Sequence, residues 1–217
     1  MANILAIETS TENCSVSIGK GSEVFSFHEN IPKQHTEKIF GVISDLLDQS
    51  GLSYKGLNAV AVGIGPGSYT GIRLSCAVAQ GIAFSQSLKC ITLSSLELLS
   101  IEANLRFAAK EVIAISEINL GKVYIAESCF EGGEIQSKFR FIQQEQFNIE
   151  EFSGSCYFVG AGCSLFPEVN NHLPGAYPSA ENLLMIARKK LNKNELVKPE
   201  EILPIYLNDE NSWKKLK

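Results

Sequence analysis

Histidine is scarce in this chain of 217 residues: only His28, His35 and His172 occur. No two stand at i, i+3 or i, i+4, so H-x-x-x-H and H-E-x-x-H are absent, and with them the common helical zinc sites. Cysteine offers no substitute. The six, Cys14, Cys76, Cys90, Cys129, Cys156 and Cys163, form no C-x-x-C pair and read as reduced thiols of a cytosolic core. Basic charge is also in deficit, with 19 Lys and Arg against 24 Asp and Glu and a net charge of −5. Phosphate contacts supply most nucleic-acid affinity, so any such role runs through a partner. The one basic cluster is the closing "WKKLK". No apolar run reaches the roughly 18–20 residues of a membrane span. The opening "MANILAIETS" lacks the positive stretch of a secretory signal. These absences predict a cytoplasmic protein with no membrane contact and no metal of its own.

What is present is ordinary globular material, 45% hydrophobic and 20% charged, sufficient for one large or two small domains. Residues 3–9, 15–19 and 24–29 read as three strands joined by tight turns. A helix over 35–51 follows, with Thr36 as its expected N-cap and Gly51 as its stop. Then come a strand at 57–63, a helix at 70–86, a strand at 90–94 and a helix at 95–107. The second half repeats this order in shortened form. Strands are expected at 111–116, 122–130 and 135–142, a helical piece near 143–151 and a strand at 156–162. A helix at 179–191 capped by Ser179 and a last strand at 204–207 complete it. The order implies an α/β protein with mixed sheets and crossover helices. The expected domains are 1–105 and 106–217.

The densest motif is "GIGPGSYTGIR" at 63–73. A P-loop needs lysine after its last glycine, and none is there. In a dinucleotide fingerprint starting at Gly65 and Gly67 the third glycine belongs at position 70, which is Thr70. A serine hydrolase elbow, G-x-S-x-G, is missing as well. What remains is a strand, a sharp turn and a helix start that Ser68 or Thr70 can cap. Two readings stay open. The glycines let strand and helix pack closely, or Glu8, Thr9, Ser10, Gly65, Gly67, Ser68 and Thr70 form an anion or phosphate loop. A helix terminus supplies only about 0.3–1 kcal/mol per charge, against roughly 8 kcal/mol for micromolar binding, so the loop cannot hold a nucleotide alone. Glu8, at a strand end, is either a functional acid or a turn cap.

The helix over 36–50 carries an apolar arc of roughly 160°, wider than the ~100° needed to cover one sheet face. The next helix is rich in small residues. Spare apolar surface on two neighbouring helices points to a helix-on-helix interface through Ile39, Phe40, Ile43 and Leu47 with Ile72, Cys76, Ala79 and Phe84. The alternative is that a loop or the other domain covers it.

"ILAIETSTENCSVSIG", "HTEKI", "GIGPGSYTGIRLSCAVAQGIA" and "PIYLNDENSWKKL" together resemble the bacterial TsaB (YeaZ) family. The resemblance implies the two-domain acetate and sugar kinase, Hsp70 and actin (ASKHA, RNase H-like) fold. It also implies a non-catalytic subunit that binds and supports TsaD, a metal-bearing paralogue, and works with the ATPase TsaE. Their complex transfers a threonylcarbamoyl group to N6 of the adenosine beside the anticodon of tRNAs. ATP and metal are expected on the TsaD-like partner, tRNA contact is indirect, and the chain pairs with a second copy when the paralogue is missing. One departure stands out. Relatives carry "AIDARMGEVY" where this chain has "AISEINLGKVY" at 114–124, which removes the aspartate and arginine of a phosphate-holding turn. The competing readings are a glycoprotease-like metallohydrolase, an ATP-dependent small-molecule kinase of the same fold, and a homodimeric binding module.

Overall fold

A computed structural model describes residues 2–118, 121–152, 154, 156–166 and 172–205. The expected strand at 204–207 and the tail with Trp213 fall wholly or partly outside these residues, as does the altered turn at 119–120.

The chain divides into two units. The first is Met1–Ser95 with Pro178–Pro204. It holds β1 (Ile4–Glu8), β2 (Asn13–Lys20), β3 (Glu23–Asn30), α1 (His35–Ser50), β4 (Ala59–Gly63), α2 (Tyr69–Gln86) and β5 (Lys89–Leu93). The sheet order is β3-β2-β1-β4-β5. The first three strands are antiparallel neighbours, while β1, β4 and β5 run parallel through helical crossovers. Every residue of β1 and β4 is buried, so both faces of the sheet centre are covered. A late helix, α4 (Ala180–Asn192), supplies part of that cover by lying on β1, β2 and β4. Its first turn is fixed twice. The Ser179 hydroxyl accepts the Asn182 N–H at 3.2 Å, and the Ser15 hydroxyl accepts the Ala180 N–H at 2.8 Å.

The second unit contains α3 (Ser95–Phe107) from Leu96 onward, then β6 (Glu111–Ile118), β7 (Lys122–Glu131), β8 (Glu134–Gln143), β9 (Tyr157–Val159) and β10 (His172–Leu173). Its order, β10-β9-β6-β7-β8, repeats the first sheet strand for strand. One face of this sheet packs Ile113, Ile115, Val123 and Ile125 against Phe147, Phe158 and Phe166. The other packs Val112, Ala114 and Ala126 against Leu96, Leu99 and Ala103 of α3.

The structure moves several expected boundaries. A division at 105 gives way to one at Ser95 and Leu96, because α3 buries its apolar side in the second unit. The expected 106–217 domain is also interrupted, since α4 completes the first unit. The N-cap of α1 is Gln34, with no side-chain cap bond, and Thr36 already lies inside the helix. Gly51 ends that helix in the left-handed region at φ 64°, as a C-terminal glycine allows. The helical piece near 143–151 is two separate 3-10 turns, Gln144–Gln146 and Ile149–Glu151. Among the described residues no helix is long and apolar enough to cross a membrane.

Candidate functional site: a glycine corner and an exposed helix pair

β1 and β4 are parallel neighbours, so their C-terminal ends and the turns after them meet. Glu8 closes β1 and is 1% exposed. Its Oε1 accepts the Ser10 N–H at 2.5 Å, and its Oε2 accepts the Ser95 hydroxyl at 2.8 Å. Burial raises the Glu8 pKa above its ordinary value, and the hydrogen bonds from Ser10 and Ser95 only partly offset this. None of the ion pairs among the described residues involves Glu8. With no cation beside it, the burial cost of the charged form is met only by these hydrogen bonds.

The glycines of the corner answer to this segment. A Cβ on Gly63 would strike the Glu8 carboxylate, one on Gly67 the Ser10 carbonyl and Cβ, and one on Gly71 the Thr9 carbonyl. The Ser68 N–H donates to the Ser10 carbonyl at 2.6 Å, and the Thr9 hydroxyl donates to the Gly71 carbonyl at 2.7 Å. Ser68 caps α2, its hydroxyl accepting the Gly71 N–H at 3.3 Å, while Thr70 lies within the helix. Gly65, at φ 93°, precedes a cis peptide to Pro66. The structure therefore brings Glu8, Thr9, Ser10, Gly65, Gly67 and Ser68 together. Two backbone donors at the start of α2, those of Ser68 and Gly71, bond to the chain's own atoms, while the buried Ser10 hydroxyl has no hydrogen-bond partner among the described residues. The glycines are required for the close approach of this strand end and helix start.

Most residues expected at a helix-on-helix interface lie inside the fold. Ile39, Ile43, Leu47, Ile72, Cys76 and Ala79 are all buried, at 4% exposure or less. They face inward because α1 packs on β2 and β3, α2 packs on β4, and the two helices touch each other. The wide apolar arc of α1 is consumed by a sheet and a neighbouring helix at once. Only Phe40 and Phe84 stand outward, at 58% and 59% exposure. Burying one such ring is worth about 1.5–3 kcal/mol.

Between the helices lies an apolar groove lined by Phe40, Tyr54, Ala77, Val78, Gly81 and Ile82. Ala77, Gly81 and Phe84 follow at i, i+4 and i+7 on the outer face of α2. Phe84 is among the residues expected at the interface, and the same spacing in the sequence puts Ala77 and Gly81 on its face. At the start of α2 the Arg73 guanidinium lies over the exposed Tyr69 ring, 3.4 Å from its centre.

All six cysteines are free, and only Cys129 is exposed. Burial pushes Cys76 and Cys163 up to about 12, and Cys14 and Cys90 up to about 11. None of these four is poised as a thiolate nucleophile. Among the described residues no three His, Cys, Asp or Glu side chains are grouped to hold a metal ion.

Residues 29–211 match the family model described as TsaD, tRNA N6-adenosine threonylcarbamoyltransferase. The tRNA threonylcarbamoyladenosine biosynthesis protein TsaB of Escherichia coli (strain K12) is 33% identical over 227 residues, covering 98% of this chain and 97% of the relative. The protein of the same name from Haemophilus influenzae is 31% identical over 229 residues, covering 98% and 96%. Among solved structures, YeaZ from Pseudomonas aeruginosa superposes with a TM-score of 0.87 at 29% identity, covering 95% of this chain and all of that one. An uncharacterized protein with similarity to peptidase YEAZ, also from Pseudomonas aeruginosa, gives 0.89 at 28% identity over 96% of this chain.

Proposed function

Because this chain belongs to the TsaB family of tRNA threonylcarbamoyladenosine biosynthesis proteins, we propose that it is the non-catalytic subunit of a threonylcarbamoyl-transfer complex. In this reading α1 and α2 dock a TsaD-like paralogue, which carries the ATP and metal, and a TsaE-like ATPase joins the pair. The complex modifies N6 of the adenosine beside the anticodon, in the cytoplasm. This chain, with its net charge of −5, meets tRNA only through its partners. Without the paralogue the same face pairs with a second copy.

The observation that carries the reading is the exposure of Phe40 and Phe84 on adjacent helices beside an apolar groove. Mixing this chain with a TsaD-type transferase from the same organism tests the proposal. Co-elution and tRNA modification are expected with the unmodified chain, and Phe40→Asp or Phe84→Asp should remove both while the thermal unfolding curve stays in place. Modification that proceeds at full rate without this chain refutes it.

A further inference from the structure

Two glycines sit in the interiors of the exposed helices without any reason inside the chain. Gly41 is in the middle of α1 and Gly81 in the second half of α2, and both are exposed. A Cβ added at either would meet no atom within 4 Å. Neither has the positive φ that demands glycine. Glycine in a helix interior is less favourable than alanine, so the fold of the isolated chain would gain from replacing both. The corner glycines Gly63, Gly67 and Gly71 are the internal contrast, because each is forced by a neighbouring atom. Space held open at a cost in stability, next to an apolar groove and two exposed phenylalanines, is space for another molecule's backbone.

The charges that α1 sets beside that space are mostly acidic, and α2 adds one cation, Arg73, a turn before Ala77 on its outer stripe. The outer face of α1 carries Glu37, Asp45 and Asp48 against a single cation, Lys38. At about 100° per residue, Glu37 and Asp48 lie within roughly 80° of Phe40 around the helix. None of these three acids enters an ion pair among the described residues. A second copy would bring the same acids to the same place. A helix with basic residues would be matched.

Resting on the docking reading above, we propose that Gly41 and Gly81 are the points where the backbone of one partner helix closes on this face. That helix presents lysine or arginine to Glu37, Asp45 and Asp48. The groove beside Ala77 and Gly81 takes its apolar side chains, and Phe40 and Phe84 flank it.

The test compares Gly41→Ala, Gly81→Ala and Asp48→Lys in the full chain. Urea unfolding is read on each variant alone, and binding to the TsaD-type paralogue is read by calorimetry at low and high salt. Both alanine variants should unfold at higher urea than the unmodified chain and yet bind at least tenfold more weakly. Asp48→Lys should bind weakly and lose most of the salt dependence. Lower stability on Gly81→Ala would show that the fold itself needs the glycine, and would overturn the inference. So would alanine variants that weaken self-association but leave paralogue binding intact, since the occupant would then be a second copy. If the unmodified chain does not bind the paralogue, the docking reading fails as well. Binding that the alanines leave unchanged refutes this inference alone.

Discussion

Ser95 and Glu8 meet at 2.8 Å, hydroxyl to carboxyl, 87 residues apart in sequence. Ser95 is the last residue of the first unit's opening segment and the first of α3, whose later residues belong to the other unit. Glu8 is the last residue of β1. The buried acid therefore fastens the point at which the chain leaves its first sheet. The corner around it is tight enough that alanine fits at none of Gly63, Gly67 and Gly71.

Stability should respond to the titration of Glu8. Its carboxyl holds the proton more tightly in the folded chain than at the ordinary value of 4.5. Between 4.5 and the higher folded value the native state keeps a proton that the unfolded chain has released. The stability from this group is thus complete below 4.5 and is lost as pH rises through the folded value. Glu8→Gln removes the dependence. The unfolding free energy of the variant minus that of the wild type should increase from pH 4.5 upward in denaturant titrations, and a flat difference from pH 4 to pH 8 contradicts the assignment.

Gly63→Ala tests the corner itself. The new methyl lands on the Glu8 carboxylate, with backbone on one side and the Ser95 bond on the other. A loss of roughly 3 kcal/mol is expected from such overpacking. Gly63→Ala in a Glu8→Ala background should recover part of it, because the clashing carboxyl is gone. Urea midpoints of the two single variants and the double variant decide the matter.

Inward and outward positions on α1 should separate cleanly. Ile43 is fully buried and Phe40 is 58% exposed. Ile43→Asp places a charge in the core and should cost on the order of 4 kcal/mol or prevent folding. Phe40→Asp should shift stability by no more than about 0.5 kcal/mol while abolishing the paralogue complex. Circular dichroism melts alongside size-exclusion profiles read both effects.

Thiol labelling reports the same burial by chemistry. The exposed Cys129 should react first with iodoacetamide at pH 8. Cys14, Cys76, Cys90 and Cys163, held at about 11 to about 12, should stay unmodified until denaturant is added. Mass spectrometry after digestion gives the order, and early alkylation of Cys76 would mean that α2 opens in the native state.

The sequence is locally legible where one residue decides an outcome. Gly51 stops α1, and Ser68 and Ser179 cap α2 and α4 by side-chain bonds. The repeated strand order also emerged from periodicity alone. Ile43 and Cys76 show where that reading stops. An apolar arc gives its own width but does not say how many neighbours fill it. On α1 a sheet and a second helix both do, so residues expected at an interface lie in the core. The outward face was instead marked by Gly41, Ala77 and Gly81, residues whose meaning depends on whether a Cβ would find anything nearby. Distances across the fold settle that, and a sequence does not hold them. The same holds for the boundary at Ser95, because whether α3 belongs with the strands before it or after it is a matter of which apolar side chains it meets.

The interrupted first unit has a consequence for synthesis. Its opening sheet leaves the ribosome early, but α4, which lies across β1, β2 and β4, begins only at Ala180. For most of translation one side of that sheet has no cover. The nascent chain must either wait in a partly assembled state or borrow shelter from a chaperone, and a premature stop before residue 180 would yield a sticky fragment rather than a working half.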